Sequence, residues 1–140
     1  MPEAPAEPPV LVSARALLGA VLHGHGVSVR LTEVEAYAGP DDPASHAFTR
    51  TPRSEVMYGP PMRLYVYRSY GLHHCANVVT GADGRAEAVL LRAGAVVAGH
   101  ELAVERRRTT DVHRLARGPG NLASALGLGL GDLGADLAGA

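Results

Sequence analysis

The stretch VSVRLTEVEAYAG, residues 27–39, decides the fold. Its apolar residues recur at every second position, the period of a strand with one buried side rather than that of a helix. If the strand is regular, Val27, Val29, Leu31, Glu33, Glu35 and Tyr37 share one face, so a carboxylate and a phenol point the same way near its end. On the N-terminal side, VSARALLGAVL (12–22) changes to helical spacing, with Ser13 in a capping position and Gly24 and Gly26 ending the segment, and predicts a short packed helix. On the other side, residues 39–61 are rich in Pro, Gly, Asp, Ser and Thr, the composition of a long loop with a binding role. RLYVYRSY (63–70) and HHCANVV (73–79) read as strands broken near Gly71, and GADG (81–84) turns the chain into AEAVLLRAGAVV (86–97). GHELAVERRR (99–108) has amphipathic helical spacing, and GPGNLASALGL (118–128) starts another short helix behind Pro119. The pattern predicts a small, largely antiparallel sheet with flanking helices, a mixed α+β class.

The 140 residues give room for one core. Residues 1–10, MPEAPAEPPV, are Pro-rich and acidic and are expected to be flexible; 11–130 form the domain; and 131–140 belong to a Gly-rich end expected to fray. A hydrophobic fraction of 46% with one Phe and no Trp leaves Leu, Val and Ala to fill the interior. All five tyrosines and Phe48 fall between positions 37 and 70, which concentrates the flat surfaces there. The formal charge of -1 gives no global attraction to a polyanion, so nucleic-acid binding would require a local basic face. Arg50, Arg53, Arg63 and Arg68 form one basic group, and Arg106, Arg107 and Arg108 another; either could grip phosphate or be a solvated face.

Several chemistries are excluded by composition. All 13 basic residues are arginine, so no side-chain amine can form a Schiff base and a lysine-dependent phosphate loop is ruled out. The single Cys75 cannot build an intrachain disulfide framework or a multi-cysteine zinc site, and it fits a reducing compartment. No stretch reads as a membrane span or a secretory leader, so the expected location is cytoplasmic. A histidine-based metal hydrolase is disfavoured by spacing: neighbouring His73 and His74 would face opposite ways on a strand, and no metal-binding helix motif is present.

Three groups could carry chemistry. Glu35, Tyr37 and His46 can meet in one pocket, where Glu35 could orient and deprotonate water; alternatively Glu35 is an exposed strand carboxylate. Tyr65 and Tyr67 share a strand face and Tyr70 follows at its edge, an arrangement that could hold or replace a nucleobase, or else pack a core. Asn77 could offer an amide to a base edge or make a strand hydrogen bond. Arg92 lies in an apolar strand, where an unpaired guanidinium is costly, and calls for a carboxylate or phosphate partner.

TEVEAYAGPDDPASHAFTRTPR (32–53), MYGPPMRLYVYRSYGLHHCANVV (57–79) and AEAVLLRAG (86–94) together resemble the alkyladenine/3-methyladenine DNA glycosylase family, and GPGNLASALGL (118–128) is similar to a later motif of that family. The likeness runs in order over roughly residues 11–130. It implies a compact mixed α/β domain with a curved antiparallel sheet, acting as a monomer on duplex DNA containing damaged purines, nucleoid-associated in a prokaryote, with no cofactor and no metal. The implied reaction hydrolyses the N-glycosidic bond of an alkylated or deaminated purine, without strand-cleaving lyase chemistry. By the same resemblance Glu35 is the general base for the attacking water, and Arg92 holds that water and the adjoining phosphate. Tyr37, His46, Tyr67 and Asn77 line the pocket for the everted base, and Tyr70 enters the DNA stack. Arg50, Arg53, Arg63 and Arg68 are candidate backbone contacts. The sequence departs from the pattern at Met62, where the family tends to have glycine, and at Arg68 and Ser69, where apolar residues are frequent. Family members also continue for several tens of residues past the last motif, which keeps open an alternative: a DNA-damage-binding protein with weak or absent catalysis.

Overall fold

The structure, a computed structural model, describes residues 9–37, 62–69, 73–80, 87–135 and 137. Helix α1 (Pro9–Leu17) leads into strands β1 (Val21–Gly24) and β2 (Val27–Tyr37). Strands β3 (Leu64–Ser69), β4 (His73–Val79) and β5 (Ala88–Ala98) follow, then helices α2 (His100–Arg107) and α3 (Pro119–Ala125). The five strands form one sheet in the order β1-β2-β5-β4-β3, and every strand pair is antiparallel. Among the described residues no helix is long and apolar enough to cross a membrane.

The expected first helix is shorter at its C-terminal end than its spacing suggests, and Ser13 lies inside it rather than at its cap. Gly19 (φ +84°) turns the chain, and residues 21–24 pair with β2 instead of continuing the helix. His25 (φ +48°) and Gly26 (φ +86°) both occupy the left-handed region, which matches the two-residue turn of a hairpin and not a helix stop.

The long strand is also irregular. In the β2–β5 register Leu31 opposes Gly94, Glu33 opposes Ala93 and Val34 opposes Leu91, leaving Thr32 and Arg92 without partners. Each is a bulge, and each reverses the side-chain alternation of its own strand. Val27, Val29 and Leu31 therefore enter the core with Leu64, Val66, Val78 and Leu91, and Val34 packs against the same cluster. Glu35 and Tyr37 are displaced to the opposite face. Leu115, Leu122 and Leu126 close the core from the helical side. Gly94 is fixed by crowding: a β-carbon there would strike Val29 Cγ1 and the carbonyl of Arg30.

The curved sheet implied by the resemblance is not what this chain forms. The sheet is open, with β1 and β3 as its two edges, and it neither curls nor closes. Other main chain satisfies the groups that closure would otherwise pair. Beside β3, Leu64 N donates to Ala135 O (2.9 Å), Gly134 N to Leu64 O (2.7 Å) and Leu137 N to Met62 O (2.8 Å). Beyond Leu90, where β4 stops pairing with β5, Gly94 N donates to Ala116 O (2.9 Å). His25 Nε2 lies 2.9 Å from Asp132 Oδ1, which ties the hairpin turn to this C-terminal segment. Desolvation works to raise the pKa of Asp132, but hydrogen bonds from Gly129 N and His25 outweigh it and hold the carboxyl below its usual range.

Met62 sits at φ +62°, a conformation that side chains with a β-carbon rarely adopt. The departure from glycine noted in the sequence thus falls at a strained position. Met62→Gly is expected to raise stability by about 1 kcal/mol, relief of the strain exceeding the added chain entropy. Denaturant unfolding monitored by circular dichroism checks this, and an unchanged or lower midpoint would refute it.

Candidate functional site

The reversal of alternation in β2 builds the site. Glu35 opposes Leu90, Leu90 opposes Asn77 across β4, and Asn77 opposes Tyr65 on β3. Paired residues of antiparallel strands project to the same side, so this row crosses four strands on one face. A parallel row brings Tyr37 beside Ala88 and Val79. Arg92, thrown out of register by its bulge, reaches diagonally back to Glu35.

The two carboxylate oxygens of Glu35 have different donors. Arg92 Nη1 donates to Oε1 at 2.9 Å, and the Tyr37 hydroxyl donates to Oε2 at 2.8 Å. The pairing of Arg92 with a carboxylate answers the demand its apolar strand context made. Exposure is 53% for the Arg92 side chain and 37% for Glu35, so solvent screens the pair and it contributes at most about 1 kcal/mol to stability. Its consequence is orientation: two fixed donors hold the carboxylate plane, while each oxygen keeps lone-pair capacity for one further partner such as water.

Tyr67 is half-buried, with its ring 5.8 Å from that of Tyr65 at a tilt of 36°. Tyr65 itself is only 1% exposed and is a core residue. Burial, then the Cys75 thiol and its hydrogen bond, with smaller contributions from Tyr37 and Tyr65, hold the Tyr67 phenol far above its ordinary pKa. It remains a neutral ring and hydroxyl throughout the physiological range. Asn77 is 4% exposed, and its Nδ2 donates to the carbonyl of Tyr65 at 3.3 Å. One of the two roles open to Asn77, a strand hydrogen bond, is thus present.

Of the residues singled out in the sequence, Glu35, Arg92 and Tyr37 are in direct contact, with Tyr67 and Asn77 on the same sheet face. Arg63 immediately precedes β3, where its carbonyl accepts from Val79 N at 2.9 Å. His46, Arg50, Arg53 and Tyr70 lie outside the described residues, as does the side chain of Arg68. Among the described residues no group of three or more His, Cys, Asp or Glu is placed to hold a metal. His23 instead meets Ser28 Oγ at 2.6 Å, and His25 meets Asp132.

Cys75 was missed as a neighbour of the site. It opposes Tyr67, and the β3–β4 register is symmetric about Gly71, so folding the two strands back at that glycine would have paired them. Burial raises the Cys75 thiol pKa, and the Tyr67 hydrogen bond offsets this only in part. Because the thiolate is the reactive form, the raised value lowers reactivity near neutral pH. Alkylation by iodoacetamide at pH 8 is expected to be at least about tenfold slower in the folded chain than in denaturant. Equal rates would contradict the assigned burial.

Comparison with known proteins agrees with the motifs. The family described as "Methylpurine-DNA glycosylase (MPG)" matches residues 5–140. A Cutibacterium acnes protein is 56% identical over 127 residues, covering 90% of this chain and 66% of its own length. A Frankia casuarinae protein is 59% identical over 119 residues, covering 84% and 56%. A Mycobacterium tuberculosis protein is 53% identical over 134 residues, covering 91% and 66%. Each bears the name "Putative 3-methyladenine DNA glycosylase". The chain thus spans somewhat more than half, and less than two thirds, of the length of these relatives.

Proposed function

Since the chain belongs to the methylpurine-DNA glycosylase family, we propose that it acts on duplex DNA in base excision repair, hydrolysing the N-glycosidic bond of alkylated or deaminated purines through a water activated by Glu35. The observation that carries this reading is the double grip on the carboxylate by Arg92 at 2.9 Å and Tyr37 at 2.8 Å.

A damaged purine everted from the duplex costs less unstacking than an intact one. Tyr37 and Tyr67 supply flat surface for it, with Asn77 buried on the same sheet face; by resemblance Asn77 and His46 are assigned to the pocket and Tyr70 to the vacated stack. As the bond between C1′ and the purine nitrogen lengthens, its electron pair leaves with the base and the sugar gains positive character. A purine alkylated at N3 or N7 begins cationic and departs neutral, which makes it a good leaving group. The water oxygen bonds to C1′, and its proton passes to Glu35. The ionised carboxylate also stabilises the developing positive charge before taking that proton. Arg92 keeps the carboxylate oriented and has further N–H donors for the water or an adjoining phosphate. The products are a free purine and an abasic deoxyribose; a deaminated purine, neutral at the start, leaves as an anion and takes up a proton from solvent. With no lysine in the sequence, a side-chain Schiff base and the lyase step it permits are unavailable.

A single-turnover assay with duplexes carrying 3-methyladenine, 7-methylguanine, hypoxanthine or etheno-adenine tests the reading. The wild-type chain is expected to release at least one of these bases, and Glu35→Gln to slow release by at least about 100-fold while lesion affinity changes only a few-fold. Full activity in Glu35→Gln would remove the general base. Selective lesion binding by the wild type with no base release would make the chain a damage-binding protein instead.

A further inference from the structure

A second polar concavity lies away from the carboxylate, beside α2 and α3. It has a volume of about 550 Å³ and is lined by Arg107, Thr109, Arg114, Arg117 and Asn121. None of these side chains is apolar, and three of the five are permanently cationic. Residues 106–121 contain five arginines and one acid, Asp111, in a chain whose formal charge is -1. Asp111 Oδ1 accepts from His113 N at 3.1 Å, a local cap that engages one of its oxygens.

The walls are built rather than incidental. Arg107 is anchored by Nε donating to Leu115 O at 2.9 Å and Nη2 donating to Arg114 O at 3.2 Å. Asn121 Nδ2 donates to Arg117 O at 2.7 Å, and Thr109 Oγ1 accepts from Asp111 N at 3.2 Å. The guanidinium groups of Arg114 and Arg117 are exposed and meet no carboxylate among the described residues. The main chain carrying them is fixed to the sheet: Arg117 bridges Ala93, the residue after Arg92, and Ala116 O accepts from Gly94 N at 2.9 Å. The cleft therefore adjoins the strand that supplies the arginine of the carboxylate site.

We propose that this cleft binds phosphodiester groups of the DNA duplex flanking the damaged nucleotide, with Arg114 and Arg117 making the charge-assisted contacts on a wall stiffened by Arg107 and Asn121. The assignment rests on the glycosylase reading for its ligand, and it gives an almost neutral chain the local basic face that reading requires. Forked guanidinium donors suit phosphate oxygens, and contacts of this kind set register and affinity without reading sequence.

The test is the salt dependence of affinity for an undamaged duplex and a hypoxanthine duplex. It compares the wild type, the double variant Arg114→Gln/Arg117→Gln, and Arg30→Gln as an exposed-arginine control elsewhere on the sheet. Loss of two phosphate contacts is expected to lower the magnitude of the log K against log salt slope by about two and weaken both duplexes at least about tenfold at 0.1 M salt. Circular dichroism and unfolding midpoints confirm that the variants fold. An unchanged slope and affinity in the double variant, or an equal change in Arg30→Gln, would overturn the assignment. So would perturbation of the cleft arginines by inorganic phosphate while duplex affinity stays that of the wild type, or failure of the wild type to bind duplex at all. The undamaged duplex needs no chemistry: binding through the cleft without base release would sink only the catalytic reading, and base release with unaltered salt dependence only the cleft.

Discussion

The constraint on which the molecule depends is the pair of bulges at Thr32 and Arg92. A strand with strict alternation would commit Val27, Val29, Leu31, Glu35 and Tyr37 to one side, and the apolar and polar members could not both be satisfied there. One unpaired residue in β2 sends Val34 to the core and Glu35 outward, and one in β5 restores the register. The bulge in β5 falls on Arg92 itself and directs its guanidinium back to the carboxylate. One long strand thereby supplies apolar surface to the interior along its first half and polar groups to the opposite face along its second.

Keeping that face open requires the sheet edges to be managed differently from a sheet that closes. The C-terminal segment hydrogen-bonds along β3, residues 116 and 117 cover β5 where β4 leaves it, and the short β1 forms the remaining edge. The first two satisfy main-chain groups that would otherwise invite pairing with another chain, and the shortness of β1 limits what its open edge offers. They also position charge, because the segment that covers β5 brings Arg117 beside the strand of Arg92. Backbone satisfaction and placement of charge are served by the same contacts.

Much of this was legible in the sequence, for identifiable reasons. Strands β3, β4 and β5 announce themselves by β-branched and aromatic residues between Gly-containing breaks, and α3 by the Pro119 start. Glu35 and Tyr37 were placed together correctly because a separation of two survives any bulge upstream of both. The site's third member, Arg92, is 57 residues from Glu35, so its need for a partner was readable from its apolar neighbours while the partner's identity was not. Bulges are invisible to a single-strand pattern, since they exist only as a mismatch in count against the strand opposite. β1 was hidden because Val21 and Leu22 continue a helical pattern, and only the positive φ angles of His25 and Gly26 reveal a hairpin. The sheet's curvature came from likeness to a family rather than from these residues, and this chain's own edges overrule it.

The exposure of the Glu35–Arg92 pair fits its proposed work better than deep burial would. A fully buried pair would incur a desolvation cost and leave no approach for water or a sugar. At about one third exposure the carboxylate keeps access to solvent, yet Tyr37 and Arg92 remove its freedom to turn. Were a polyanion to dock on the proposed cleft and carboxylate site, the attraction of their cations would strengthen as water is displaced. In the free chain the same arginines sit in solvent, where they cost the fold little. Electrostatics that contributes slightly to stability can therefore contribute substantially to the proposed recognition, because docking of a ligand would change the dielectric surroundings.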